Sequence, residues 1–131
     1  MFTLAKILIL LMYSNLAEYS VHRFALHGFL WKRHVKHHED DSKNVFFVRD
    51  IGGMLVALGL IGLSSLLFSF WGWLPLIVFL FDYLVLIEAA HWLIHEKNIS
   101  QHHMVHHADL WYGNFNIWLP FSDYLFGTKI N

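Results

Sequence analysis

The feature that most constrains this chain is one uninterrupted apolar stretch. Residues 51–81 contain no Asp, Glu, Lys or Arg, a run of 31 positions in a chain of 131. Over the whole chain 56% of the residues are hydrophobic and 15% are charged, against roughly 25% charged in an ordinary soluble domain. So short a chain has too little interior to bury this run in water. We therefore expect an integral membrane protein, with a single domain over residues 1–131.

The apolar stretch is too long for a single crossing of a membrane. As one helix it would measure about 46 Å, whereas a bilayer core is ~30 Å thick. The sequence Gly72-Trp73-Leu74-Pro75 combines turn-forming residues with interfacial tryptophans, so we predict helices over residues 51–71 and 75–95. A further helix is predicted over residues 2–27, retained because no small-residue cleavage site follows it. The expected fold is all-α, with about three spanning helices.

Basic residues indicate which side of the membrane the polar segments occupy. Five Lys and Arg residues lie in residues 28–50, and the turn at Gly72 has none. The positive-inside rule therefore places residues 28–50 in the cytoplasm, and the segment from Lys97 onward, two crossings later, lies there too. We expect a helical cap on the cytoplasmic face of a bacterial inner membrane or the endoplasmic reticulum. The net charge of −1 argues against a nucleic-acid partner.

Histidine is the second unusual feature, with 11 copies in the chain. Ten of them follow the spaced patterns HxxxxH, HxxHH, HxxxH and HxxHH, in that order. Chance would give HxxHH about 0.08 times in a chain of this length and composition, and it occurs twice. Residues three or four apart share one face of a helix, so each group presents its imidazoles together. The ten are His22, His27, His34, His37, His38, His91, His95, His103, His106 and His107.

The first pair needs a local distortion to converge. His22 and His27 lie five residues apart, about 140° around an ideal helix. They face one another only if the helix bulges or ends between them, and Gly28 just beyond the pair favours this.

This pattern predicts a metal centre. Neutral imidazole binds Fe, Zn, Cu or Ni, and ten imidazoles exceed the coordination number of one ion. We therefore predict two ions, each with four or five histidine ligands. Glu18, Glu88 and Asp109 are placed to accept the second ring N–H of a ligand. His102 lies outside the pattern, and we expect it to support a ligand or to be solvated.

The histidine groups and the residues around them resemble the sequence motifs of a known superfamily. The runs Glu18-Tyr19-Ser20-Val21-His22-Arg23-Phe24-Ala25-Leu26-His27 and His34-Val35-Lys36-His37-His38 resemble the first two histidine boxes of the fatty acid hydroxylase/sterol desaturase superfamily. His91-Trp92-Leu93-Ile94-His95 and His103-Met104-Val105-His106-His107 resemble its third and fourth boxes, and Phe121-Ser122-Asp123-Tyr124-Leu125-Phe126-Gly127-Thr128 its terminal motif. The resemblance covers residues 18–128.

The resemblance implies a membrane non-haem di-iron oxygenase. Its ten box histidines would hold two iron ions that react with O2, with zinc as another occupant. The gap lengths in the first and third boxes favour hydroxylation of a lipid acyl chain, with carotenoid hydroxylase or sterol desaturase activity as the alternative. A non-catalytic metal carrier and a bis-histidine haem protein are the remaining hypotheses.

The resemblance also implies partners. We expect electrons from a separate protein of the cytochrome b5 or ferredoxin kind. Members of the superfamily have about four spans, and this chain has one fewer before the first box. A helix from a second copy or from another subunit is expected to fill that place. Residues 111–121 are expected to form a lid or interfacial segment over the metals.

Overall fold

The computed structural model describes residues 2–39, 51–97, 101–108, 113–117 and 119–130, without the side chains of Arg33, His37 and Glu39. Within these ranges the regular structure is entirely helical, as the sequence predicts. The helices are α1 (Phe2–Ser20), α2 (Trp31–Glu39), α3 (Ile51–Leu67), α4 (Leu74–Phe81), α5 (Ile87–Lys97), α6 (Gln101–Ala108) and α7 (Phe121–Leu125).

The first long helix changes its winding where the histidines begin. Helix α1 continues without a break into a π-helix over Val21–Phe29. There the amide of Leu30 donates to the carbonyl of Ala25, five residues back, at 2.9 Å. Gly28 leaves helical geometry at φ −102° and ψ −115°. The wider winding brings residues five apart onto one face, so the predicted distortion between His22 and His27 is confirmed.

A tight turn joins the next two helices. Helix α3 is followed by a 3-10 turn over Ser69–Trp71 and then by Gly72, at φ +70° and ψ −136°. Pro75 lies in the first turn of α4, where its missing N–H leaves no bond unmade. Helix α4 runs through a π-helical segment, Asp82–Leu86, into α5, which gives one continuous helix over Leu74–Lys97.

The two long helices run parallel. Lys6 near the start of α1 lies 5.5 Å from the ring centre of Trp71, and Tyr13 packs against Phe79 at 5.8 Å. The next residue of α1, Ser14, donates from its hydroxyl to the carboxylate of Asp82, which lies nearly one turn beyond Phe79. Because the partners advance together, the C-terminal ends of both helices lie side by side. These ends carry the first and third histidine boxes.

In the part of the chain that the structure describes, two helices are long and apolar enough to cross a membrane, namely Phe2–Phe29 and Leu74–Lys97. Helix α3, in the place of the third expected span, has 17 residues. At 1.5 Å per residue it measures about 26 Å, slightly less than the ~30 Å core of a bilayer. Many large apolar side chains point outward, including Leu55, Leu63 and Ile77. Such a surface suits lipid, and the count of three spans stays a prediction.

We predict that Gly72→Ala destabilises the turn. At φ +70° a Cβ is strained even though nothing lies within 4 Å of it, so the expected loss is about 1–2 kcal/mol. The measurement is thermal unfolding in detergent. Gly59→Ala is the control, because a Cβ there also meets nothing within 4 Å and the backbone is helical. Equal melting temperatures for the two variants would contradict the prediction.

Candidate metal centre

The first histidine group forms where α2 folds back beside the π-helix. Leu30 makes the turn, and the amide of His34 donates to its carbonyl at 3.2 Å as α2 begins. His34 and His38 then face the pair on the π-helix, and α6 adds one more imidazole. The five members lie with one ligand atom each within 4.8 Å of one another: His22, His27, His34, His38 and His106.

The second group joins α5 to α6. Its members also lie within 4.8 Å of one another: His91, His95, His103 and His107. The two groups are in contact, since the ring centres of His38 and His107 are 4.4 Å apart. Nine of the ten histidines therefore form one continuous centre. The side chain of His37 lies outside the described part of the chain.

The fourth box divides between the two groups. His103 and His107 are four residues apart and share the face of α6 that meets α5. His106 lies beside them but turns to the first group, with its Nε2 3.0 Å from the Nε2 of His27. Helix α6 thus supplies ligand atoms to both groups.

The spacing between ring nitrogens suits ligands of a common ion. Neighbouring Nε2 atoms lie 3.0 Å apart for His22 and His34 and 2.9 Å apart for His34 and His38. In the second group the values are 3.1 Å for His91 with His95 and 3.0 Å for His103 with His107. Nitrogens about 2.1 Å from one ion lie roughly 3.0–3.4 Å apart, so each group is compact enough to hold one ion.

Backbone carbonyls identify the ligand atoms of two histidines. The Nδ1 of His22 donates to the carbonyl of Phe115, and the Nδ1 of His106 donates to the carbonyl of Gly113 at 2.7 Å. A carbonyl only accepts, so the proton lies on Nδ1 and the lone pair on Nε2 in each neutral ring. These two Nε2 atoms are 3.1 Å apart. With no hydrogen between them, two lone pairs face each other, and a cation is what such a pair requires.

Burial keeps the α6 histidines in the neutral form that binds metal. Burial, with the neighbouring His91 and His107, lowers the pKa of His103 well below its usual value. Burial also lowers the pKa of His106 to about 4, and the hydrogen bond to Gly113 only partly opposes this. Near neutral pH both rings therefore offer a lone pair.

In residues 113–117 the backbone carbonyls and the backbone amides bind different partners on opposite sides of the segment. Its carbonyls at Gly113 and Phe115 accept from the histidines. Its amides point the other way: Asn114 donates to Thr128, and Ile117 to the carboxylate of Glu18 at 2.6 Å. The carboxylate of Asp123 accepts from the two amides between them, at 2.9 Å each. Every amide from 114 to 117 is therefore bound.

Two residues give this segment its shape. Asn114 adopts φ +58°, a left-handed conformation that Asn tolerates better than most residues. Its side chain donates to the carbonyl of Ile130 at 3.1 Å and accepts from the amide of Ile130 at 2.9 Å. A Cβ on Gly113 would lie 1.9 Å from the carbonyl oxygen of Thr128, so only glycine fits there.

Of the three carboxylates predicted to orient imidazoles, the structure describes Glu18 and Glu88. Contrary to the prediction, Glu18 does not hydrogen-bond to His22. Its oxygens accept from Ile117 and, at 3.4 Å, from the side chain of Asn116, because the π-helix turns His22 toward the carbonyl of Phe115 instead. Glu88 is buried one turn before His91, and its role there stays a prediction. Asp109 lies outside the described residues.

His102 and the described part of the predicted lid both lie close to the histidine groups. His102 is half-buried, with its Nε2 3.3 Å from the carboxylate of Asp123. The described part of the predicted lid lies against the histidines, with the Phe115 ring centre 5.4 Å from that of His106. Polar contacts fasten it to α1. Trp111 lies outside the described residues.

Sequence reasoning assigned no role to several residues that build the site. Asn15, Asn116, Ser122 and Asp123 are all buried and hydrogen-bonded to one another or to the segment. The available signal was their position: Asn15 interrupts an apolar helix, and the other three lie in or just before the terminal motif.

A comparison with models of protein families shows the family to which this chain belongs. The model of the family described as fatty acid hydroxylase matches residues 7–128. The chain belongs to the fatty acid hydroxylase family. No curated protein and no solved structure matches it significantly. Membership confirms the resemblance seen in the histidine boxes and makes the chain a hydroxylase- or desaturase-type oxidoreductase. A family of membrane enzymes, together with two long apolar helices, indicates membrane association.

We predict that the two histidine groups of this hydroxylase family member lose metal separately. His91→Ala with His95→Ala removes two ligands from the group of four and leaves the group of five intact. Metal content measured by elemental analysis should fall from about two ions to about one per chain.

The control for this experiment is Gln101→Ala, at an exposed position on the same helix as the fourth box but in neither group. It should keep the full metal content. An unchanged metal content in the double variant, or an equal loss in the control, would show that the groups are assigned wrongly.

Proposed function

We propose that this protein is an O2-dependent di-iron hydroxylase of membrane lipid acyl chains. The observation that carries the proposal is the pair of touching imidazole groups, in which the facing Nε2 atoms of His22 and His106 both bear lone pairs. Membership of a family that is typically iron-dependent favours iron over zinc as the native metal. Family membership supplies the reaction type.

The substrate explains why a redox metal is needed. An acyl C–H bond has neither an acidic proton nor a leaving group, so histidine acid–base chemistry alone cannot break it. Iron in these groups would supply the reductive cleavage of O2: one oxygen atom enters the C–H bond, and the other leaves as water with two electrons and two protons. The electrons come from a separate donor protein of the cytochrome b5 or ferredoxin kind.

The residues of this chain hold the centre in place and keep water away. Carbonyls of residues 113–117 fix the ring orientation of His22 and His106, so that their Nε2 atoms aim at one ion. The group of five and the group of four would each hold one ion, and these ions would supply the activation of O2. The buried ring of Phe115 covers the histidines from the side of the segment.

The proposal includes a placement in the membrane. We propose that α1, α3 and the α4–α5 helix cross the bilayer, with the histidine groups at its cytoplasmic face. The acyl chain then reaches the metals from within the bilayer and needs little desolvation. A fourth helix from a second copy or another subunit is part of this proposal.

A metal carrier fits the arrangement less well. Transport needs ligands near the middle of the membrane that are open to both sides in turn. Both histidine groups lie at the same end of the two parallel helices, and the deeper carboxylate of Asp82 is held by Ser14.

We predict that expression in a host without related enzymes adds one oxygen atom to membrane acyl chains. Mass spectrometry of total lipids is the measurement, with 18O2 to show that the atom comes from O2. His22→Ala should abolish the product, because it removes an imidazole that faces three others. Gly59→Ala, remote from the histidines on α3, is the matched control.

Three outcomes separate the hypotheses. Hydroxylated acyl chains that depend on His22 support the proposal. Oxygen incorporated only into carotenoids or sterols would replace the acyl substrate with the alternative one. Metal binding without O2 consumption, in the presence of lipid and a reductant, would contradict the enzyme proposal.

A further inference from the structure

We propose that Asp123 is a positioning residue for the metal ligand His22, which it strengthens through the single peptide group between Phe115 and Asn116. The inference rests on the proposed function only in that a metal ion occupies the group of five. It concerns a residue outside both histidine groups.

The connection runs through consecutive atoms. The Nδ1–H of His22 donates to the carbonyl of Phe115. The amide N–H of the same peptide unit belongs to Asn116 and donates to Oδ2 of Asp123 at 2.9 Å. One planar, conjugated peptide group therefore joins a carboxylate on one side to an imidazole on the other. Each hydrogen bond in such a chain polarises the next and strengthens it.

A neighbouring peptide group provides an internal comparison. The carbonyl of Gly113 accepts from Nδ1 of His106 at 2.7 Å. The N–H of that peptide belongs to Asn114 and donates to the carbonyl oxygen of Thr128 at 2.9 Å. Each of these two ligands therefore donates to the carbonyl of a peptide group whose own N–H is hydrogen-bonded. For His22 the acceptor of that N–H is a carboxylate, and for His106 it is a neutral carbonyl.

Asp123 is fixed in this place by its other contacts. Its side chain has no exposed surface, and its Oδ1 accepts from the amide of Phe115 at 2.9 Å and from the Thr128 hydroxyl at 2.8 Å. His102 lies 3.3 Å from Oδ2. Burial alone would raise the pKa of Asp123, but these hydrogen bonds together lower it, so the group carries a charge near neutral pH.

The charge has a direct consequence for His22. A more polarised carbonyl draws the Nδ1 proton more strongly and leaves more electron density on Nε2, the ligand atom. His22 then becomes a better donor to the metal than His106, although both rings belong to the same group. Loss of the carboxylate should weaken metal binding at the group of five and leave the group of four unchanged.

The test compares Asp123→Asn with Thr128→Val in a background that carries His91→Ala and His95→Ala. This background leaves the group of five as the metal site to be measured. Thr128→Val removes a donor to Oδ1 and keeps both the charge and the bond to Asn116, so it loosens the same contacts without breaking the connection. Co2+ affinity is measured by competition with a chelator.

We expect Asp123→Asn to weaken Co2+ binding about 10- to 100-fold and Thr128→Val to weaken it much less. In the reciprocal background, which carries His27→Ala, His34→Ala and His38→Ala and leaves the group of four as the metal site, Asp123→Asn should leave Co2+ binding unchanged. Equal losses for Asp123→Asn and Thr128→Val, or no loss for Asp123→Asn, would overturn the inference. If the parent protein binds no Co2+, the proposed function itself fails.

A measurement on the wild-type chain covers the case in which Asp123→Asn does not fold. In zinc-loaded protein, the two Nδ1–H proton resonances are assigned with His22→Ala and His106→Ala. The stronger hydrogen bond should place the His22 resonance downfield of the His106 resonance. A His22 resonance at or upfield of that of His106 would contradict the inference.

Discussion

The structure depends on one contact that is unfavourable without a cation. Two buried ring nitrogens, Nε2 of His22 and Nε2 of His106, lie 3.1 Å apart with their lone pairs toward each other. Backbone carbonyls hold the proton of each ring on the opposite nitrogen, so neither ring donates to the other. A second proton on either ring would bury a positive charge among other histidines. A metal ion resolves the conflict, which arises where the π-helix meets α6.

Apolar packing and buried hydrogen bonds place the histidines in different ways. The two long helices and α3 pack through Leu10, Ile61 and Phe79, and this packing brings the C-terminal ends of the two long helices to one level. Fine positioning comes from residues 113–117 and from their attachment to α1. Asn15 is central to that attachment: its side chain donates to the carbonyl of Leu119 at 2.7 Å and accepts from the amide of Ser122 at 3.1 Å. Apolar packing thus sets where the histidines meet, and buried hydrogen bonds set which nitrogen each one presents.

Periodicity and residue spacing predict much of this architecture. Charge-free runs and the turn at Gly72 locate the helices, because hydropathy and turn chemistry are local properties. Histidine spacing predicts the metal centre and the distortion between His22 and His27 for the same reason. Tertiary geometry decides the rest. His106 joins the first group, although its box comes last, since α6 lies between α5 and the π-helix. Glu18 binds Ile117 rather than His22, and Asp123 reaches Asn116, through contacts that no local pattern encodes.

X-ray absorption at the iron edge of the reconstituted protein tests whether the imidazole groups hold iron. We predict five or six nitrogen and oxygen neighbours at about 2.1–2.2 Å, with the outer-shell scattering of several imidazoles. Such a result would match iron bound by the histidines of the two groups. Four short bonds in a tetrahedral shell, or a spectrum without imidazole scattering, would contradict it.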